Sequence, residues 1–298
     1  MNILVLGGSY FLGKHFVNMA ADEHTITVFN RGNRPVMLPQ VRKIVGDRHD
    51  ISALKSLREQ QFDVVVDFCA YNKNDIASVF SYLQKGCRQY IFISTCDVYE
   101  HGSGRMLDEA APYERRSFAG EAGEYIAGKV ALEEELAACA KSYGMAYTSI
   151  RPAFIYGPDN YAPRESMYFH WIAQAGQILH PIDATGEFQM VFVEDVARAI
   201  DQALLNEAAY DQAFNLAPFP MTTYESFAVA LGESVGDTFE KVPVTLETIA
   251  QKQIPLPFPL TKEESNRYNG EKALTLIGSY TKLTDGLRYT ADYEMRER

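Results

Sequence analysis

Tyr125 and Lys129 stand one helical turn apart in Tyr-Ile-Ala-Gly-Lys, so a helix there carries a phenol and an ammonium on one face. A phenol with an ordinary pKa near ~10 needs a nearby cation before it trades protons at neutral pH. The same spacing recurs at Tyr10/Lys14 and Tyr268/Lys272, so context has to decide. Tyr10 belongs to a glycine loop and Tyr268 to a weakly patterned tail. Tyr125 instead leads into Val130, Leu132, Leu136 and Cys139, which recur at helical spacing beside Glu133, Glu134 and Glu135. Upstream, an apolar run ends in Ile93-Ser94-Thr95, where Thr95 or Ser94 offers a hydroxyl for a substrate oxygen. Thr95, Tyr125 and Lys129 therefore read as a proton-transfer set. The plain alternative is a half-buried aromatic beside a solvated lysine.

A second constellation lies at the start of the chain. Gly7-Gly8-Ser9-Tyr10-Phe11-Leu12-Gly13 follows an apolar run and opens a helical stretch near Phe11. Strand, glycine turn and helix start in that order aim backbone N–H groups and the helix dipole at a pyrophosphate, the arrangement a dinucleotide needs. Gly7, Ser9, Tyr10, Phe11, Leu12 and Gly13 are the candidate contacts, with Tyr10 standing where a middle glycine is usual. The next apolar run ends at Asn30, where an acid would hold the adenosine ribose of NAD. Arg31 and Arg34 follow, with Arg42, Lys43 and Arg48 beyond. Guanidinium groups suit a 2′-phosphate, which favours NADP over NAD. A solvated basic loop is the bland reading.

Elements of alternating type must position these groups. Apolar β-branched runs at 3–6, 25–29, 64–68, 90–94 and 147–150 alternate with amphipathic stretches, the mark of strands buried on both faces of a parallel sheet. The expected fold is α/β, a doubly wound parallel sheet with a smaller, mixed C-terminal substrate domain. After Tyr156-Gly157-Pro158 the texture shifts to prolines and aromatics, including Tyr161, Tyr168, Phe169 and Trp171. Residues 1–157 are expected to form the dinucleotide-binding domain. The segment 187–217 returns to it, since 190–193 and 213–216 look like further sheet partners. Residues 158–186 and 218–298 then form the smaller domain, with 254–260 an extended, proline-fixed connection.

The 298 residues carry 28 Lys+Arg against 39 Asp+Glu, a net charge of −11, which disfavours broad contact with nucleic acid or anionic lipid. At 47% hydrophobic and 22% charged, the chain reads as globular rather than disordered. Four cysteines without a CxxC pair and six histidines without HExxH argue against a metal. The opening MNILVLGGSY lacks a basic leader and a long apolar run. A cytoplasmic protein with reduced thiols is expected. Its partner is a small-molecule substrate, with no membrane, no nucleic acid and a homodimer as the assembly.

Taken in order, LGGSYFLG at 6–13, VGDRHD at 45–50, FISTCDVYE at 92–100, YIAGK at 125–129, IRPAFIYGP at 150–158, VFVEDVARAI at 191–200 and FNLA at 214–217 resemble the extended short-chain dehydrogenase/reductases, the superfamily of NAD(P)-dependent sugar-nucleotide epimerases and dehydratases. The resemblance implies a Rossmann domain. It also implies Thr95 on the substrate oxygen, Tyr125 as acid/base, and Lys129 holding the nicotinamide ribose and lowering the Tyr pKa. Asp47 and Arg48 border the adenine, Cys69, Ala70 and Ser94 line the cofactor side, and Pro152, Phe154 and Ile155 meet the carboxamide. Leu6, Tyr10, Phe68-Cys69-Ala70-Tyr71 and Glu100 depart from the usual pattern. They resemble an atypical branch similar to the plastid stem-loop RNA-binding proteins.

The implied activity is hydride transfer at a secondary alcohol or ketone of a sugar, with a nucleotide sugar the family expectation. Dehydration is disfavoured because the usual Asp-Glu pair reads Cys96-Asp97. Between 142 and 240 the cations are Arg151, Arg164 and Arg198 alone, sparse for a second pyrophosphate, although Lys262, Arg267, Lys272 and Arg288 could approach from the tail. The competing reading is a non-catalytic NAD(P)-binding regulatory or RNA-binding protein of the same fold.

Overall fold

In the computed structural model, which describes residues 1–83, 86–102, 104–236 and 239–296, the apolar runs become strands in chain order. They are β1 (Asn2–Leu6), β2 (Thr25–Asn30), β3 (Arg42–Val45), β4 (Val64–Asp67), β5 (Gln89–Ile93), β6 (Met106–Leu107), β7 (Ala146–Pro152), β8 (Phe154–Tyr156), β9 (Gln177–Pro181), β10 (Met190–Phe192), β11 (Gln212–Leu216), β12 (Glu240–Val244) and β13 (Arg267–Tyr268). Seven of them form one parallel sheet ordered β11-β7-β5-β4-β1-β2-β3. The order turns back on itself between β1 and β4, and a crevice opens at the carboxyl ends of strands at such a point.

Both faces are covered, as continuous apolar strands require. Ile3 and Val5 of β1 face a core shared with Phe16 and Val17 of the helix Phe11–Ala20 and with Val196 and Ile200 of the helix Val193–Ala203. Leu4 and Leu6 face the opposite core, with Ile76, Leu132 and Leu136 from the helices Asp75–Phe80 and Gly120–Tyr143. Alternate side chains on one strand thus close two separate layers, the doubly wound α/β architecture.

The helix Gly120–Tyr143 carries the Tyr-Lys pair and ends at Gly144, whose φ of 63° suits glycine. Its register is pinned from below. Glu133, one turn beyond Lys129, accepts from Arg151 Nε at 2.8 Å, Arg151 Nη2 at 2.9 Å and Ser149 Oγ at 2.6 Å, both partners on β7. Gly128 lets the helix approach, because a Cβ there would lie 2.5 Å from the Tyr71 carbonyl oxygen.

Two expectations change. Residues 190–192 do not join the central sheet; β10 pairs in parallel with β8 in a separate ladder. Arg42 and Lys43, which follow Arg31 and Arg34 in the basic run, lie on β3, an exposed edge strand whose polar residues hide the apolar signature of a strand.

Candidate active site

At the carboxyl ends of β1, β2, β4, β5 and β7 lies a cleft of about 870 Å³. Gly7 and Gly8 leave β1 with φ of 95° and 73°, a conformation that side chains resist. A Cβ on Gly13 would lie 2.8 Å from the Gly8 Cα, so the first turn of the helix packs directly on the loop. Among the described residues, no acceptor in the chain takes the amides of residues 8–12. Unpaired N–H groups converging at a helix start form an anion cradle, so the loop fits a dinucleotide pyrophosphate. The Tyr10 ring lies in the cleft lining beside this cradle, with the Arg34 guanidinium carbon 3.4 Å from its centroid and the Tyr161 ring stacked at 5.3 Å.

Asn30 closes the end of β2 with its own backbone. Its Nδ2 donates to Gly7 O at 3.4 Å, and its Oδ1 accepts from Gly32 N at 2.9 Å. Arg31 and Arg34 line the cleft beside it, and so does Asp47, whose carboxylate accepts from the backbone amide of His49 at 2.9 Å. Arg48 lines the cleft but is only 7% exposed. It donates to both carboxylate oxygens of the fully buried Asp67 at 2.9 Å and to Asp75 O at 2.6 Å. A buried carboxylate requires such a partner, so Arg48 serves the cleft wall rather than offering a free charge.

At the inner end, Ser94, Thr95, Tyr125 and Lys129 meet, with Cys69, Pro152, Phe154 and Ile155 around them. Thr95 Oγ1 donates to Asp97 Oδ2 at 3.0 Å and accepts from Asp97 N at 3.1 Å, which fixes its rotamer. Lys129 Nζ donates to Ile93 O at 2.8 Å and Ala70 O at 3.0 Å, leaving one donor for a ligand. Ala70 is therefore not a lining residue; it is fully buried, and its carbonyl holds the lysine. Burial lowers the Lys129 pKa to about 8. The Tyr125 phenol is pushed above its usual value by burial and by the Asp97 carboxylate, against which a hydrogen bond with Thr95 works. With Lys129 Nζ 5.8 Å from the Tyr125 ring centroid, the pair does not bond directly. In this state Tyr125 is a proton donor rather than a phenolate.

Cys96 faces the core, its Sγ donating to Arg151 O at 3.0 Å, so it brings no acid to the cleft. Cys69 is a thiol, since burial pushes it up to about 12. Tyr268 is a wall residue that the sequence pattern missed. Its hydroxyl donates to Asp97 Oδ1 at 3.3 Å, and the signal was hidden because β13 is only two residues long. Tyr168 and Phe169 are 1% and 6% exposed and belong to the core, whereas Tyr161 lines the cleft. Among the described residues no group of three or more His, Cys, Asp or Glu is placed to hold a metal, and no helix is long and apolar enough to cross a membrane.

A parallel doubly wound sheet with a glycine cradle at its crossover point defines a dinucleotide-binding α/β protein. The chain belongs to the NAD dependent epimerase/dehydratase family, whose model matches residues 3–217. It is 30% identical over 250 residues to the chloroplast stem-loop binding protein of 41 kDa b from Arabidopsis thaliana, covering 78% of this chain and 63% of that protein's length. The fold is similar to that of the UDP-N-acetylglucosamine 4-epimerase of Methanobrevibacter ruminantium M1, solved with UDP-N-acetylmuramic acid (TM-score 0.80, 17% identity, 100% and 99% of the two chains). It is also similar to the UDP-glucuronic acid 4-epimerase of Bacillus cereus, solved with UDP-glucuronic acid and NAD (TM-score 0.75, 18% identity, 100% of both chains).

Proposed function

We propose that this protein is an NAD(P)-dependent oxidoreductase or epimerase acting on a secondary alcohol or ketone of a sugar derivative, with Thr95, Tyr125 and Lys129 as its catalytic residues. The observation that carries this reading is the meeting of those three side chains at the inner end of the same cleft whose other end is the glycine cradle. When bound, the nicotinamide group supplies a two-electron acceptor or donor at carbon. The protein supplies position and proton traffic. Thr95 Oγ1 holds the substrate oxygen, Tyr125 gives the proton as phenol and takes it as phenolate, and the third N–H of Lys129 would hold a ribose hydroxyl. Ile93 and Ala70 fix that lysine through their carbonyls, so little reorganisation is needed on binding.

Residues 1–157 with 187–217 form the cofactor side of this reading, and 158–186 with 218–298 the substrate side. NADP(H) is the cofactor bound more tightly, supported by Asn30 in place of an acid and by Arg31 and Arg34 at the cleft. The NAD in the Bacillus cereus structure speaks for NAD(H). Mass spectrometry of protein purified without denaturation, followed by turnover assays on carbonyl and sugar panels, tests the whole reading. Detection of neither a nicotinamide cofactor nor any turnover defeats it.

The Arabidopsis relative favours a second reading, a stem-loop binding protein whose dinucleotide is not turned over. The net charge of −11 opposes it. Tight, salt-sensitive binding of a structured RNA, with turnover unchanged in Tyr125→Phe, would put this reading first.

A further inference from the structure

Arg31 and Arg34 line the glycine-cradle end of the cleft together with Asp47, whereas Asp97, Glu187 and Glu264 line the inner end, which Tyr268 and its neighbours build near Lys129. We infer, on the basis of the oxidoreductase reading, that the substrate is a phosphate-free polyol or sugar and not a nucleoside diphosphate sugar.

A second pyrophosphate, away from the amides of the glycine cradle, calls for Arg or Lys side chains that reach it, and carboxylates beside it repel it. Among the described residues, the Arg and Lys of the lining at this end are Lys129, which the Ile93 and Ala70 carbonyls hold, and Arg164, whose Nη1 already donates to Ile155 O at 3.0 Å while its guanidinium lies over Phe154. The tail cations go elsewhere. Arg267 pairs with Glu187 at 2.6 Å, Lys272 donates to Gln212 at 2.7 Å and Arg288 pairs with Asp285 at 3.3 Å. Lys262 is not part of the lining. The carboxylates, by contrast, are placed to accept. Glu187 uses Oε2 for Arg267, and Glu264 uses Oε2 for Leu260 N at 2.7 Å, which leaves Oε1 of each for ligand hydroxyls. Asp97 is held between Thr95 and Tyr268, with lone pairs to spare. Such a wall recognises neighbouring hydroxyl groups and rejects phosphate.

In the oxidative direction the carbinol C–H bond breaks with its electron pair passing to the oxidised dinucleotide. Tyr125 takes up the hydroxyl proton as phenolate, having first given its own proton to solvent, and a carbonyl forms.

The test uses the full chain with oxidised NAD or NADP. Formation of reduced nicotinamide is followed on a panel of unphosphorylated hexoses, pentoses and cyclic polyols and on a panel of UDP-hexoses, with UDP binding measured by calorimetry. The expected result is turnover within the first panel and no UDP binding at millimolar concentration. Glu264→Gln is expected to raise KM about tenfold with kcat nearly unchanged, as for a lost charged hydrogen bond to bound substrate. Turnover of a UDP-hexose, or micromolar UDP affinity, overturns this inference and leaves the oxidoreductase reading standing. Silence on both panels overturns both.

Discussion

The guanidinium carbon of Arg34 lies 3.4 Å from the centroid of the Tyr10 ring, whose stacked neighbour at 5.3 Å is Tyr161. Three side chains from separate segments thus form a layered strap beside the glycine cradle. An exposed cation–π contact contributes roughly 0.5–1 kcal/mol, and an aromatic pair about as much. Tyr161→Ala is therefore expected to speed dinucleotide release several-fold in stopped-flow measurements, with the association rate little changed. An unaltered release rate would show that the strap does not touch the bound cofactor.

The same contact bears on cofactor choice. If the Arg31 and Arg34 guanidinium groups meet a 2′-phosphate, Arg31→Ala and Arg34→Ala each weaken NADP(H) about tenfold and NAD(H) little, as loss of a charge-assisted bond predicts. Calorimetry with both cofactors decides, and equal losses for the two would refute the 2′-phosphate role.

For Tyr125 the pH dependence has a definite sign. Because burial and Asp97 hold the phenol above its usual value, it stays protonated through neutral pH. Carbonyl reduction, which needs the phenol, is expected to hold its rate up to pH ~9, while alcohol oxidation, which needs the phenolate, rises with pH. Tyr125→Phe should lower kcat by about 10²–10⁴-fold without matching loss of cofactor affinity. A reduction rate that collapses from pH 7 to 9 contradicts the assignment.

Lys129 makes a prediction about stability. Its pKa is lowered by burial from 10.5 to about 8, so between those values the unfolded chain binds a proton that the folded one does not. Stability then rises with pH across that window, and below it the cost of the buried ammonium is fully present. Relative to Lys129→Met, the parent protein should gain about 3 kcal/mol from pH 8 to 10.5, since one proton bound by the unfolded chain alone changes stability by ~1.4 kcal/mol for each step of one in pH. Urea unfolding of both proteins over that range checks it, and parallel stability curves would rule it out.

Gly128 should tolerate no side chain. A Cβ there meets the Tyr71 carbonyl at 2.5 Å, so Gly128→Ala must push the helix Gly120–Tyr143 off Tyr71 and carry Lys129 with it. A loss of about 1–3 kcal/mol in unfolding free energy is expected, the usual cost of overpacking, together with weaker cofactor binding. Full stability in the variant would mean the close approach is not real.

Much of this was legible in residue order. Ile3–Leu6 and Val64–Val66 announce a two-sided parallel sheet because a strand buried on both faces has no polar side to alternate with. The glycine loop and the Tyr125–Lys129 pair were readable because each depends on local geometry: positive φ in the loop, one turn of helix in the pair. β3 was not readable, since an edge strand exposed to water keeps Arg42 and Lys43 on its surface.

What tertiary structure alone decided are the long-range pairings. The resemblance puts Arg48 at the border of the adenine, and the fold adds that the fully buried Asp67 holds its guanidinium, because leaving a carboxylate unpaired in a dry interior is costly. Sequence discounted Tyr268, yet the β13–β6 ladder brings its hydroxyl to Asp97, far away in the chain. Residue types and local spacing fix which chemistry the chain can offer. Which charges remain free to perform it is settled only when the sheet closes and distant segments compete for the same partners.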